Sequence, residues 1–131
     1  MAAPNIVNVA TINAKTDMFA LATTGAITIL TNASNSGVVV QVNSIYVANV
    51  DGTNNADISI DIHNGVATAG ASSSAAGVGF AIASTVVVPA DATVIVLDKN
   101  SPVFLEEAMS ISAAPSAADD LEVVISYQEI S

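Results

Sequence analysis

The chain has 131 residues, enough for one domain that buries roughly two-thirds of its unfolded surface, and no room for a second core. It contains no cysteine, which excludes a disulfide framework and a thiolate metal site. Twelve acidic residues stand against two lysines, Lys15 and Lys99, giving a net charge of −10. That balance excludes the cation cluster that displaces counterions from nucleic acid, and it repels an acidic membrane surface.

In chain order, the start has no basic segment and no apolar run of the length a signal peptide needs, so synthesis in the cytoplasm without a cleaved leader is expected. No stretch approaches the roughly 20 apolar residues of a membrane span. Asn5, Ile6, Val7, Asn8, Val9, Ala10, Thr11 and Ile12 form an extended, β-branched segment. It is either an edge strand of its own sandwich or an arm that adds to a neighbour's sheet. Residues 26–30 form a short alternating strand. Residues 38–50 form a longer one. Val38, Val40 and Val42 share one face there, while Ile45 and Val47 have the opposite parity, so a β-bulge is expected near Asn43-Ser44.

Asp51-Gly52 follows as a hairpin marker. Residues 57–63 then alternate cleanly, with Ile58, Ile60 and Ile62 inward and Asp57, Ser59, Asp61 and His63 outward, the pattern of a half-buried antiparallel strand. Residues 64–79 are rich in Gly, Ala and Ser and read as a long surface loop. Pro89-Ala90-Asp91-Ala92 is a turn. Residues 93–97 are apolar on both faces, as in a central strand or one covered by a neighbouring subunit. Lys99-Asn100-Ser101-Pro102 turns again, residues 109–113 and 121–127 alternate, and a Pro- and Asp-containing link joins the last two strands. No segment has a helical period. The expected fold is all-β: a single antiparallel β-sandwich or jelly-roll-like domain over residues 16–131, with an extended N-terminal arm over residues 1–15. The expected inner face holds Ile58, Ile60, Ile62, Val94, Val96, Ile111, Val123, Ile125 and Tyr127.

Signals for chemistry are thin. His63 is the only histidine and stands at a strand end, where solvation is expected. Catalysis would need an orienting acid and a nucleophile or metal beside it. Asp51, Thr53, Asn55 and Asp57 place oxygens at alternate positions, as calcium loops do. However, Gly52 is misplaced for a helix-loop-helix calcium site and the twelfth residue is Ile62 instead of Glu, so a plain hairpin loop is the stronger reading. The acid pairs Glu106-Glu107 and Asp119-Asp120 fit a charged rim, since neighbours on a strand point to opposite faces. Asp17, Asp91 and Asp98 read as turn residues. There is no nucleophile elbow, phosphate loop or dinucleotide fingerprint. No enzyme activity and no cofactor is expected.

Three segments together carry a resemblance. The first is Ser44-Ile45-Tyr46-Val47-Ala48-Asn49-Val50-Asp51-Gly52-Thr53-Asn54-Asn55-Ala56-Asp57-Ile58-Ser59-Ile60-Asp61-Ile62. The second runs from Ile82 through Val86-Val87-Val88-Pro89-Ala90-Asp91-Ala92 to Lys99, followed by Phe104-Leu105-Glu106-Glu107. The third is Asp120-Leu121-Glu122-Val123-Val124-Ile125-Ser126-Tyr127-Gln128-Glu129-Ile130-Ser131. In this order they resemble small virion structural proteins of tailed bacteriophages, notably marine and cyanobacterial ones, over roughly residues 5–131. The family pattern places Gly-Asp after Leu-Glu-Glu, where this chain has Ala108-Met109. The resemblance implies a particle component and no activity.

Composition points the same way. The chain is 52% hydrophobic yet only 11% charged, and only 4% aromatic, so much of its surface is small and weakly polar. Such a surface is often covered by a partner. An unusually neutral monomer is the plainer reading. The leading expectation is a capsid decoration (cement) protein of the virion that bridges major capsid subunits and copies of itself, with contacts from residues 5–12 and the 64–79 loop. A neck, tail or fibre component is the alternative within the particle. A sugar- or calcium-binding adhesion module is the alternative of another class. No nucleic acid or membrane partner is expected.

Overall fold

A computed structural model describes residues 7–65 and 79–131. Asn5, Ile6 and most of the expected 64–79 loop lie outside the described residues. The described residues form nine strands: β1 (Ile12–Ala20), β2 (Ile27–Asn32), β3 (Val39–Asn49), β4 (Ala56–His63), β5 (Gly79–Val88), β6 (Thr93–Leu97), β7 (Val103–Leu105), β8 (Met109–Pro115) and β9 (Leu121–Ile130). They make two antiparallel sheets packed as a β-sandwich. Sheet A has the order β1-β9-β3-β6, with β7 beside the first part of β3, and sheet B the order β2-β8-β4-β5.

Alternation explains the core. Ile58, Ile60, Ile111, Val123 and Ile125 are fully buried, joined by Ile29, Val42, Ile45, Val47, Leu105 and Leu121. Tyr127 is buried, while Ile62, Val94 and Val96 are half-buried against this cluster. The core is thus almost wholly aliphatic. Fully burying each such side chain contributes about 1.5–3 kcal/mol. The bulge falls where parity requires it, with the β3–β9 register shifting between Val42 and Ser44. One extra residue there returns Ile45 and Val47 to the interior.

Four expectations need correction. Asp51-Gly52 does not close a hairpin, because β3 lies in sheet A and β4 in sheet B, so the loop arches between sheets. Turn chemistry is local, and long-range pairing decides whether the next strand returns beside its predecessor or crosses over. Of the two readings of residues 93–97, the central strand is overturned: among the described residues β6 pairs only with β3, and Ile95 is exposed. Asp17 is no turn residue. It sits inside β1 and accepts a hydrogen bond from the Tyr127 hydroxyl at 2.9 Å. The boundary between residues 15 and 16 falls within β1, whose nine residues all pair with β9.

Two asparagines tie the layers together at opposite ends. Asn49, at the end of β3, donates its Nδ2 to the Val88 carbonyl of sheet B and to the Asn54 carbonyl, both at 2.9 Å. Its Oδ1 accepts from the Asp51 N–H. Asn32, at the end of β2, donates to the Leu105 carbonyl of sheet A at 3.0 Å and to the Val38 carbonyl at 2.8 Å, and accepts from the Ser36 hydroxyl. Both side chains are buried. Each satisfies carbonyls that a change of sheet leaves without ladder partners.

Candidate functional site

The outer face of sheet A gathers residues that lie far apart in sequence. Met18 is registered opposite Val124, Val124 opposite Tyr46, and Tyr46 opposite Ile95. Directly opposed residues of antiparallel strands share a face. The result is one apolar row crossing β1, β9, β3 and β6. Three of its members stand well out of the surface, Met18 at 75%, Tyr46 at 40% and Ile95 at 59% exposure, while Val124 is half-buried between them. A shallow groove at the β1 end is lined by Met18, Phe19, Ala20, Glu122, Val123 and Val124.

The neighbouring rows are small or uncharged. Thr16, Ser126 and Ser44 lie on one side, with the Thr16 hydroxyl donating to the Ser126 hydroxyl. Ala20, Glu122, Ala48 and Thr93 lie on the other. Gln128, Gln41 and Phe104 follow further along. By this alternation Glu122 is the sole ionic side chain among the described residues of the outer face. Sheet B differs. On β5, Phe80, Val86 and Val87 are exposed, but Val87 is registered against Asp57 and Ala81 against Asp61, so acids border this patch. Of the chain's five aromatic residues, Tyr46, Phe80 and Phe104 stand exposed. An aliphatic core with aromatic rings outside reverses the usual monomer pattern.

From Ala10 onward the N-terminal segment joins the edge of its own sandwich. The Ala10 and Thr11 N–H groups donate to the Ser131 carbonyl, the Ser131 N–H donates to Thr11, and β1 continues the pairing from Ile12. Val7, Asn8, Val9, Ala10, Thr11 and Ile12 are largely exposed. Lys15 pairs with Glu129 at 2.9 Å in a solvated contact that contributes little.

In the 51–57 loop the oxygens serve the turn. Asp51 accepts from the Thr53 N–H at 2.8 Å and from the Asn54 side-chain amide at 3.0 Å. These bonds, the amide first, hold its carboxyl below the usual value. Asn55 accepts from the Ala90 N–H. Asp57 lies in β4, where its N–H donates to the Ser116 hydroxyl. Asp51 and Asn55 thus spend side-chain oxygens on bonds that shape this loop and the 89–92 turn beside it. Among the described residues no group of three or more His, Asp or Glu could hold a metal ion.

His63 departs from expectation. It is 7% exposed, and its Nε2 shares a 2.8 Å hydrogen bond with the Ser112 hydroxyl. Opposite it stands Gly79, whose missing Cβ would fall 2.7 Å from the imidazole Cε1, so the ring occupies the space a side chain would fill. The Nδ1 atom has no hydrogen-bond partner among the described residues. Asp61 is registered opposite Ser112 yet does not orient the ring, so the Asp–His–Ser relay that activates a hydroxyl is not assembled. Sequence reasoning missed this burial because the cover comes from β5 and β8, not from β4 itself. It also missed the Met18–Ile95 row, whose only sequence signal is an apolar residue on the solvent parity of four separate strands.

Glu107 is more than rim, since its carboxylate accepts from the Gly37 N–H and anchors the β2–β3 loop. Asp98 accepts from the Asn100 N–H within its turn, and Asp91 has a left-handed φ of 58°. No helix among the described residues is long and apolar enough to cross a membrane. No family model matches the chain, and neither a curated protein nor a solved structure matches it.

Proposed function

We propose that this chain is a bacteriophage virion structural protein without enzymatic activity, and that it decorates the head by bridging major capsid subunits. The observation that carries the proposal is the outer face of sheet A, which exposes Tyr46 and Phe104 and holds Glu122 as its one ionic side chain among the described residues, on a chain of net charge −10. A free acidic monomer has no use for such a face, whereas an assembled one buries it.

Strand order adds support. Taking β7 as an excursion beside β3, the remaining eight strands fall into sheets first-eighth-third-sixth and second-seventh-fourth-fifth. That order supports the jelly-roll-like reading, an architecture used by viral capsid domains and also by lectins. The turn after Leu105-Glu106-Glu107 supports the family resemblance. Ala108 has φ of 65°, a conformation that favours glycine, at the position where the family pattern has Gly. Many weak contacts, repeated by symmetry over the shell, would resist outward pressure on the capsid. The exposed edge of β1 suits strand addition to a neighbour.

The test is reconstitution. Phage heads lacking this chain are mixed with purified protein, and bound copies and shell rupture are measured. Saturable binding at a fixed ratio to capsid subunits, with later rupture, is expected. Failure to bind heads, with binding to isolated necks or tails instead, moves the protein elsewhere in the particle. Binding to none of them removes the proposal.

A further inference from the structure

We infer that the outer face of sheet A is a self-docking surface on which a second copy of this chain packs face to face. The inference reaches beyond the particle reading, because the pairing requires no capsid.

Charge selects the occupant. A chain of net charge −10 meets its own copy against strong repulsion wherever acids face each other. On sheet B the exposed β5 patch is bordered by Asp57 and Asp61, which suits a partner with a basic rim. On sheet A the row Met18, Val124, Tyr46 and Ile95 is flanked by Thr16, Ser126, Ala20, Ala48 and Thr93, with Glu122 alone carrying charge. A face with a single carboxylate offers little to a basic partner and opposes an acidic one only weakly.

Geometry makes the face self-complementary. A two-fold axis along the strands between β9 and β3 sets Met18 over the partner's Ile95 and Val124 over the partner's Tyr46. Glu122 then meets the partner's Ala48. An axis along the row sets each member over its own copy, and Glu122 meets the partner's Ser126. In neither arrangement do the two Glu122 carboxylates face each other. An isologous contact of this kind closes at two copies.

Size is sufficient. The Ile130–Val39 end of the face is already buried within the chain; four strands about 4.8 Å apart, and about seven free residues at roughly 3.3 Å each, span on the order of 450 Å² in projection. Side-chain relief raises the accessible area toward the roughly 600 Å² per partner at the lower end of specific interfaces. Aromatic Tyr46 near the centre, ringed by small polar residues, has the arrangement of an interface core.

The test uses the full chain in sedimentation equilibrium over a concentration series. The wild type is expected as a dimer, twice the 13.1 kDa chain. The double variant Met18→Glu/Ile95→Glu, at two exposed sites, should raise the dissociation constant at least about 100-fold while keeping the wild-type circular dichroism spectrum. Phe80→Glu, an equally exposed change on sheet B, should leave the dimer intact. If the double variant unfolds, a maleimide-linked spin label at Tyr46→Cys reports the same contact, since the chain has no other cysteine. A short label-to-label distance supports the face, and a distance beyond the width of the sandwich overturns it. A monomeric wild type, an oligomer untouched by Met18→Glu/Ile95→Glu, or one dissociated equally by Phe80→Glu overturns it as well. Failure of head binding with an intact dimer removes the particle reading alone.

Discussion

Replacing Asn49 tests how the two layers are held. Its amide donates to the Val88 and Asn54 carbonyls at 2.9 Å each, and its oxygen accepts from the Asp51 N–H. Asn49→Ala removes three hydrogen bonds in a buried position. At about 1 kcal/mol net apiece the loss is about 3 kcal/mol, and the stranded Val88 carbonyl adds to it because water cannot reach it freely. For a chain of this size each kcal/mol moves the midpoint by about 4 °C, so a drop of about 12 °C is expected. Asn49→Asp keeps the shape but turns the donor into an acceptor facing two carbonyls. It should cost at least as much as alanine, which a purely steric role would not produce. Urea and thermal unfolding at one fixed protein concentration provide the assay, because any self-association shifts the midpoint by mass action. Asn100→Ala, exposed in a turn, is the control. A loss under about 1 kcal/mol for Asn49→Ala, or an Asn49→Asp variant as stable as wild type, refutes the reasoning.

Ala108→Gly should raise stability by about 0.5–1 kcal/mol in urea unfolding, because φ of 65° strains a Cβ; no gain means that the strain is absent. Gly79→Ala should cost about 1–3 kcal/mol, since its Cβ would meet the His63 ring at 2.7 Å, and the cost should vanish in a His63→Ala background; equal cost in both backgrounds refutes the contact. Burial first, and the hydrogen bond to Asp17 second, push the Tyr127 phenol above its ordinary value of 10.0. A raised value favours the neutral phenol in the folded state, so its stabilising contribution is whole below pH 10.0 and is lost as pH rises beyond it. In a Tyr46→Phe variant, where Tyr127 is the only tyrosine, phenolate absorbance should appear above pH 10.0 and begin earlier when Asp17→Asn is added; a midpoint at 10.0 or below contradicts this.

Legibility in the sequence followed burial. Residues 57–63, 109–113 and 121–127 alternate because one face packs into the aliphatic core and the other carries mostly polar side chains, some of them buried as Ser110 and Ser112 are, and a period of two survives in the sequence. The bulge after Val42 was readable as a change of parity. The β5 strand was not. Its register with β4 shifts twice, and Thr85 adopts a left-handed φ of 47°, so no single parity runs through it. The β1 strand hid for another reason: as an edge strand it exposes nearly every residue, leaving only Asp17 and Phe19 half-inward. Asn32 and Asn49 look like ordinary strand-end asparagines until carbonyls from the other sheet arrive. His63 reads as solvated because Gly79, which admits its ring, sits across the sheet and not beside it in the chain. The apolar row on sheet A is the clearest case, since four residues from four strands become neighbours only through register.

A density map of the intact phage particle, with this chain located and its copies counted, is the most direct measurement. The account predicts copies repeating over the head lattice, on the order of hundreds per particle, with β1 or the β5 patch against the major capsid protein and sheet A against a second copy. A particle whose head, neck and tail contain no such density would contradict it.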